Sequence, residues 1–410
     1  MKRRSFFNIA IAAVIVTQLS CQFITGAFSG GGGSGYYTQP GNPIDVTLTL
    51  DNTNVTAVVS AVDGGELSVA GSDGSRYTLT IPPEALVMDT EVSMTPIASI
   101  DGLPFSGGFG GAVKLEPSGL TFFDFLTLTI EPAIPIPPEN QILFGFEEDG
   151  EDLHLAIPGN DPSQIQIRLL SFSGAGVGNG ISAEMAGVMQ RSADRAEVRI
   201  SSQVAEYLQI QRQKSILGIE ADDEGLSGVE GQLNEYVDSV VIPRLKAAAS
   251  ESASCADARK ALQTYLSFER QRQLLGTSPE GGDKISQLAA ELMPIAAKKC
   301  LKEEYDRCAN KHMIAGMLPA LLQFERTGQL LGQLDPSNPA MENKAWAEVR
   351  TYGEELVQKC FQWDLEFESA GSFDAGDGMS YDSRVKSKIH LKTDLPLLSL
   401  VIHGSSALIN

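Results

Sequence analysis

The segment Leu169–Gly178 reads LLSFSGAGVG and places a serine directly after Phe172. Ser173 could act as a nucleophile that cuts the chain after Phe172. The structural alternative is that Phe172 continues the alternation of Leu170 into a core and that Ser173 ends a strand. The residues favour this structural role, and self-cleavage between Phe172 and Ser173 is the alternative.

Other hydrolytic chemistry has little support in the sequence. It contains no Gly-x-Ser-x-Gly, His-Glu-x-x-His, Walker or dinucleotide-binding motif. The histidines, His154, His312, His390 and His403, are scattered, and no Cys-x-x-Cys pair exists, so we expect neither a zinc site nor a cofactor. We predict that the protein is not an enzyme, with an exported hydrolase of unrecognised site as the alternative.

Two acidic stretches could bind calcium. The first is Glu147–Asp152, and the second is the glycine-rich loop that carries Asp374, Asp377 and Asp382. Neither has the spacing of an EF-hand loop. The first lies between two alternating runs and is more simply a hairpin turn, so we predict no metal site.

The N-terminus has the pattern of an export signal. Lys2-Arg3-Arg4 precedes the apolar run Phe6–Leu19, which as a helix would be about 21 Å long and too short to span a membrane. Gln18-Leu19-Ser20-Cys21 is similar to the end of a bacterial lipoprotein signal, although its leucine lies one place late. We therefore predict a signal peptide over 1–20, a lipid on the thiol of Cys21, and a Gly/Ser-rich tether over 21–43. Ordinary secretion is the alternative.

Charge and length bound the partners and the domain count. The 410 residues are too many for one ordinary core. The net charge of −21 disfavours nucleic acid and anionic lipid headgroups as partners, since both carry the same sign. We expect an exported protein, lipid-anchored on the extracytoplasmic face, with an unknown protein or cell-envelope ligand.

Residues 44–173 show the period-two pattern of β-strands. Apolar residues alternate with polar ones in Arg76–Ile81, Leu126–Glu131 and Gln164–Leu169, with Gly, Pro and Asp between the runs. This pattern predicts an antiparallel β-sandwich.

The same segment resembles a known family. The residues that carry the resemblance are Gly64-Gly65-Glu66-Leu67, Tyr77–Leu86 with its Ile-Pro-Pro-Glu-Ala-Leu core, and Glu116–Phe122. They resemble the ZU-five domain, over roughly residues 60–180, with Glu84 at a position that is often glycine. The resemblance implies a β-sandwich interaction or spacer module. Such domains often end in His-Phe-Ser, and in some members the chain cleaves itself there by an N-to-O acyl shift, in which the serine hydroxyl attacks the preceding carbonyl. Here Ser171 replaces the histidine base, and a hydroxyl does not act as a base near neutral pH, which implies a vestigial site.

A helical repeat follows the segment 174–183, which we predict to be a linker. Tyr207–Gly218, Tyr265–Gly276 and Leu321–Gly332 match without gaps at offsets of 58 and 56 residues. In each copy an amphipathic helix ends at a glycine, a polar loop follows, and a second helix returns, for example over Ile285–Lys299 or Ala345–Lys359. The pattern predicts three helical hairpins over 184–360. The Glu-Arg pairs at 269/270 and 325/326 are interpreted as a solvated helix face.

The remaining cysteines follow these hairpins. Without Cys21, four are left, and an even number in an exported protein indicates two disulfides. We predict Cys255–Cys300 and Cys308–Cys360, each closing the open end of one hairpin, while two other connectivities stay open.

Residues 361–410 return to a strand-like pattern, in Trp363–Glu368 and again in Val385–Leu391. This segment is short for an independent domain, so its strands should pack on a neighbour. The sequence thus predicts a multidomain β-then-α protein that ends in a short β-rich segment. Its expected function is that of a non-enzymatic binding or scaffold module at the cell surface.

Overall fold

The computed structural model describes residues 36–191, 193–219, 225–277, 284–311, 316–334, 345–360, 363–374 and 380–391. The predicted signal peptide, Cys21, most of the predicted tether and Asp377 lie outside the described residues. Within them, an antiparallel β region is followed by a helical region.

The β region consists of two antiparallel sheets. The seven-stranded sheet has the order β1-β5-β6-β12-β8-β9, with β2 also paired to β5, and the five-stranded sheet has the order β10-β11-β7-β4-β3. The strands are β1 Thr47–Leu50, β2 Val55–Val59, β3 Gly65–Ala70, β4 Arg76–Ile81, β5 Thr90–Asp101, β6 Phe109–Glu116, β7 Thr121–Glu131, β8 Gln141–Glu147, β9 Glu151–Leu155, β10 Ile157–Pro158, β11 Ile165–Ser171 and β12 Gly174–Asn179.

The predicted alternation fixes which face of each strand is buried. Leu79 on β4 and Leu128 on β7 lie opposite each other in the five-stranded sheet, and both are fully buried. They share one apolar cluster with Val113 on β6 and Val177 on β12, from the other sheet. Each such side chain contributes roughly 1.5–3 kcal/mol through removal from water, so this shared cluster holds the two sheets together.

The prediction of a linker over 174–183 is wrong, because most of this segment is a β-strand. Gly174–Asn179 forms β12, which pairs with β6 on one side and with β8 on the other. A Cβ at Gly174, Gly176 or Gly178 would lie within 3 Å of the rings of Phe146, Phe144 or Phe105, respectively. The glycines alternate because aromatic rings cover one face of the strand, while Ala175 and Val177 are buried on the other. The β region therefore extends to Asn179, beyond the predicted boundary at Ser173.

The helical region has seven helices in the described residues. They are α1 Ser182–Gln190, α2 Ala196–Ile216, α3 over 226–249, α4 Cys255–Leu274, α5 Lys284–Lys311, α6 Met317–Leu334 and α7 Ala345–Cys360. Helix α3 consists of the α-helical Leu226–Tyr236, the π-helical Val237–Val241 and the α-helical Ile242–Ala249.

The three repeat copies lie on α2, α4 and α6. After α2 and α4, Gly218 and Gly276 have φ angles of 69° and 68°, the left-handed conformation predicted for a glycine that ends a helix. The third glycine does not end its helix as predicted, since Gly332 lies within α6. The return helix after the second copy is longer than predicted, because α5 continues past Lys299 to Lys311.

The helices pack in two rows. Helices α2, α4 and α6 contact one another in that order, and α3, α5 and α7 do the same. Each helix of the first row also contacts the helix that follows it in the chain, and the first row contacts the β region, α2 through β9 and β10 and α6 through β7.

Two cysteine pairs are joined as predicted. Cys255, the first residue of α4, pairs with Cys300 on α5 at a Cα–Cα distance of 4.0 Å and joins these two helices near the end opposite their loop. Cys308 pairs with Cys360 at 5.9 Å. This second bond differs from the predicted staple within one hairpin, because α5 extends through Cys308 and the bond links α5 to α7.

The C-terminal segment forms a two-stranded antiparallel sheet of β13 Trp363–Asp374 and β14 Ser380–Leu391. The register runs from Trp363 opposite Leu391 to Asp374 opposite Ser380. These strands confirm the predicted return to β structure, and the two strands pair with no third among the described strands.

Candidate functional site at the junction of sheets and repeat helices

The predicted cleavage triplet lies at the crossing from one sheet to the other. Ser171 ends β11, and Phe172 is fully buried before β12 begins. The N–H of Phe172 donates to the carbonyl of Leu120 at 2.8 Å, and its carbonyl accepts from the N–H of Gly119 at 2.7 Å. The turn before β7 thus holds both sides of Phe172, and the expected buried position of this ring is confirmed.

Neither described histidine belongs to the segments that meet at this crossing, which are β11, β12 and the turn before β7. His154 lies on β9, where its Nδ1 is 2.7 Å from the carbonyl oxygen of Asp152 and its ring covers Gly145. His390 belongs to β14, and His312 and His403 lie outside the described residues. Ser173 and Phe172 thus form a buried connection between the two sheets.

One arginine recurs at the same place in all three repeat copies, and each of the three contacts the β region. We call Arg212, Arg270 and Arg326 the repeat arginines. Arg212, on α2, is 7% exposed and donates from one terminal nitrogen to the side-chain oxygen of Gln141 at 2.8 Å and to the carbonyl of Gln164 at 2.9 Å. It therefore joins the first repeat helix to the start of β8 and to the loop before β11.

The second repeat arginine makes an ion pair with the five-stranded sheet. Arg270, on α4, is 5% exposed and donates to the carboxylate of Asp124 on β7 at 2.8 Å. Its guanidinium also lies 5.4 Å from the ring centroid of Phe125, within the range of a cation–π interaction. The Arg270 side chain is buried, but about half of the Asp124 side chain is exposed, so water screens this ion pair in part.

The third repeat arginine explains an unusual residue of the β region. Arg326, on α6, pairs with the carboxylate of Glu84 at 2.6 Å, and its Nε donates to the Glu84 carbonyl at 3.2 Å. Glu84 has a φ of 62°, a conformation that costs a non-glycine residue about 1–2 kcal/mol. A glutamate here is strained, but it provides the carboxylate that Arg326 binds.

The glutamates before these arginines bind within the helical region. Glu269 is 3% exposed and pairs with Arg272 at 2.7 Å, while Glu325 pairs with Arg350 of α7 at 3.1 Å. Burial raises the pKa of the Glu325 carboxyl. The interpretation of 269/270 and 325/326 as a solvated face is wrong, because the two arginines contact the β region and the two glutamates bind arginines of the helical region.

The first repeat helix also satisfies the backbone of the seven-stranded sheet. The side-chain amide of Gln209 donates to the carbonyls of Leu143 and Ala156 at 2.7 and 2.8 Å, and its oxygen accepts from the N–H of Leu143 at 2.9 Å. The hydroxyl of Ser202 accepts from the N–H of Leu155 at 3.1 Å. Side chains of α2 thus supply hydrogen bonds to the backbone beside this sheet, and the Leu143 carbonyl accepts one from the N–H of Ala156 as well.

The first described residues, Tyr36–Thr38, pack against the helical region. Tyr36–Thr38 forms a short 3₁₀ helix, and the ring of Tyr37 is buried 5.2 Å from that of Tyr236 on α3. The guanidinium of Arg199 donates to the carbonyls of Ala193, Tyr36 and Gln39. The predicted tether over 21–43 thus ends earlier than expected, because the aromatic pair and this arginine hold residues 36–39 in place.

The acidic stretch Glu147–Asp152 forms the predicted turn, between β8 and β9. Two of its carboxylates pair with cations, Glu147 with Arg195 and Asp149 with Lys114. No group of three or more His, Cys, Asp or Glu residues that could hold a metal ion occurs in the described part of the chain. The described helices include none that is long and apolar enough to cross a membrane.

Comparison with known proteins adds no relative. No protein-family model, curated protein or solved structure matches this chain.

Proposed function

We propose that this chain is an exported, lipid-anchored cell-envelope protein that acts as a non-enzymatic binding scaffold. In this proposal a β-sandwich similar to a ZU-five domain and an array of three helical hairpins form one rigid body. Cys21 carries the lipid, and the glycine-rich segment between Cys21 and Tyr36 is the tether. The partner is a protein or another ligand of the cell envelope, and the net charge of −21 disfavours nucleic acid.

One observation carries the proposal: all three repeat arginines contact the β region. A repeat array whose every copy contacts a second unit resists bending relative to that unit. The row α3, α5 and α7 is then the row that remains available to a partner, and the disulfide between Cys308 and Cys360 holds two members of that row together. Rigid presentation of a surface lowers the entropy cost of binding.

The position of Tyr36 and Tyr37 supports a tethered body with the helical region toward the membrane. Because Tyr36 and Tyr37 are fixed beside α2 and α3, the tether leaves from the helical region and not from a free end of the sheets. A lipid on Cys21 would therefore hold that end of the body nearest the membrane. Fourteen residues lie between Cys21 and Tyr36. At about 3.4 Å per residue this segment reaches roughly 50 Å when fully extended.

Intact mass of the detergent-extracted full chain tests the proposal. We expect one species that begins at Cys21 and carries added acyl mass, and we expect a Cys21→Ala variant to lack that mass and to leave the membrane fraction. A wild-type chain without acyl mass would overturn the lipid anchor. A fragment that begins at Ser173 would overturn the scaffold in favour of self-cleavage, and the Ser173→Ala variant would then remain uncut.

The hydrolase alternative needs a separate test. Replacement of all four histidines by alanine removes every histidine base from the chain. A scaffold should keep its partner binding after this change, whereas a histidine-dependent hydrolase should lose its activity.

A further inference from the structure

A cleft of about 250 Å³ lies where the loop between β10 and β11 meets α2 and α4. Part of its wall is apolar, formed by Pro158, Pro162, Leu208 and Leu274. Gly159, Asn160 and Ser215 add small and polar groups. The cleft is large enough for one ring-sized molecule or one amino-acid side chain.

Two arginines, Arg168 and Arg212, also line this cleft. Arg168 is half-buried and lies 5.8 Å from the ring centroid of Phe125, but it forms no hydrogen bond or ion pair with the described residues. Burial lowers the pKa of Arg168 with no carboxylate close enough to oppose the effect. A half-buried guanidinium without an anionic partner is uncommon, because an arginine away from water is normally paired.

The second guanidinium is only partly satisfied. The terminal nitrogen of Arg212 binds Gln141 and Gln164, both neutral, while its buried Nε has no hydrogen-bond partner among the described residues. The nearest acidic influence is Asp161, whose exposed carboxylate accepts from the N–H and the hydroxyl of Ser163 at 2.9 and 2.6 Å. The cleft therefore concentrates positive charge in a protein with 52 acidic and 31 basic residues.

We propose that this cleft binds a small organic anion, in which a carboxylate or phosphate group contacts Arg168 and Arg212 and an apolar body lies against Leu208 and Leu274. A guanidinium binds both kinds of anion through paired N–H donors, and the apolar wall removes the body of the ligand from water. Anion binding in this cleft does not depend on the lipid anchor or on export, so this proposal is tested independently of the function proposed above.

Calorimetric titration of the full chain with benzoate, phenyl phosphate and neutral benzyl alcohol at matched ionic strength tests the site. We expect saturable binding of benzoate or phenyl phosphate, and the stronger of the two identifies the anionic group. Benzyl alcohol should bind at least about tenfold more weakly, since it lacks the charge-assisted hydrogen bonds. Equal binding of the alcohol, or no saturable binding of either anion, would overturn the proposal.

Two pairs of variants locate the binding. Ser215→Glu places a carboxylate at the cleft from an exposed position and should abolish anion binding, while Ser215→Gln should retain it. Arg168→Gln should weaken binding at least about tenfold, and Arg76→Gln, an exposed arginine on the same sheet, should leave it unchanged. Anion binding that persists in both Ser215→Glu and Arg168→Gln would show that the anion lies elsewhere and would overturn the assignment.

Discussion

Substitution of one glycine distinguishes a strand from a linker at residues 174–179. In β12, a Cβ on Gly174 would lie 1.9 Å from Cζ and 2.0 Å from Cε2 of Phe146, which is fully buried. Ordinary contacts between carbon atoms are about 3.5–4.0 Å. The Gly174→Ala variant must therefore move the Phe146 ring by about 1.5–2 Å within a packed core.

The expected cost follows from two opposing effects. Overpacking of this size costs about 1–3 kcal/mol, and the upper end applies because the ring has no exposed side into which it can move. Alanine regains about 0.5–1 kcal/mol relative to glycine within a strand. We expect Gly174→Ala to lower the free energy of unfolding by about 2 kcal/mol. A glycine in a flexible linker would instead change stability by a few tenths of a kcal/mol or stabilise the fold.

Urea unfolding followed by circular dichroism measures this difference. Gly187→Ala is the matched control, because Gly187 lies exposed on α1 with no atom within 4 Å of an added Cβ. The control should stabilise the protein by about 0.5–1 kcal/mol through helix propensity. A Phe146→Leu change in the Gly174→Ala background should recover part of the loss, since it vacates the space that the methyl group needs. A Gly174→Ala chain as stable as wild type would refute the packing described for β12.

Three further predictions concern an ion pair, a buried carboxyl and a disulfide. In a double-mutant cycle, Arg326→Gln and Glu84→Gln should show a coupling of about 0.5–1 kcal/mol by urea unfolding, because Glu84 is largely exposed; a coupling of zero would remove this pair from the interface. Burial raises the pKa of Asp152, so the folded state retains its proton above pH 3.8, where the unfolded chain has lost it. This contribution to stability is present at low pH and is lost as the pH rises through the folded-state pKa. Asp152→Asn should therefore be more stable than wild type at pH 7 and similar at pH 3, and a variant less stable at pH 7 would contradict the assignment. Replacement of both Cys308 and Cys360 by serine should cost about 2–5 kcal/mol in a thermal melt, and an unchanged melting temperature would show that the bond does not restrain α5 and α7.

Local patterns predicted much of the architecture. The alternation around Leu79 and Leu128 identified the buried faces of β4 and β7, because a strand places successive side chains on opposite faces. The repeat identified the helices and led to the cysteine pairs, because Cys255 precedes the second copy and Cys300 lies on the helix that returns from it.

The errors have a physical cause in long-range contacts. A glycine-rich segment predicts a linker, but here the glycines alternate with Ala175 and Val177 in the period-two pattern of a strand. The aromatic rings that cover these glycines are far away in sequence. The contact between Arg270 and Asp124 could not be predicted for the same reason, since the two residues are 146 positions apart in the sequence. The sequence did contain one indication of this interface, the arginine at the same position of all three copies. A solvent-exposed helix face does not require one particular residue at one position.

Scanning calorimetry of the full chain tests most directly whether the repeat arginines join the sheets and the helices into one body. The wild type should unfold in a single transition, with calorimetric and van't Hoff enthalpies that agree. Replacement of all three repeat arginines by glutamine should separate this into two transitions, one for each region. A control that replaces three exposed cations by glutamine should keep one transition; its sites are Arg76, Lys246 and Lys284. Two independent transitions in the wild type, or a triple repeat-arginine variant that melts as the wild type does, would contradict the account.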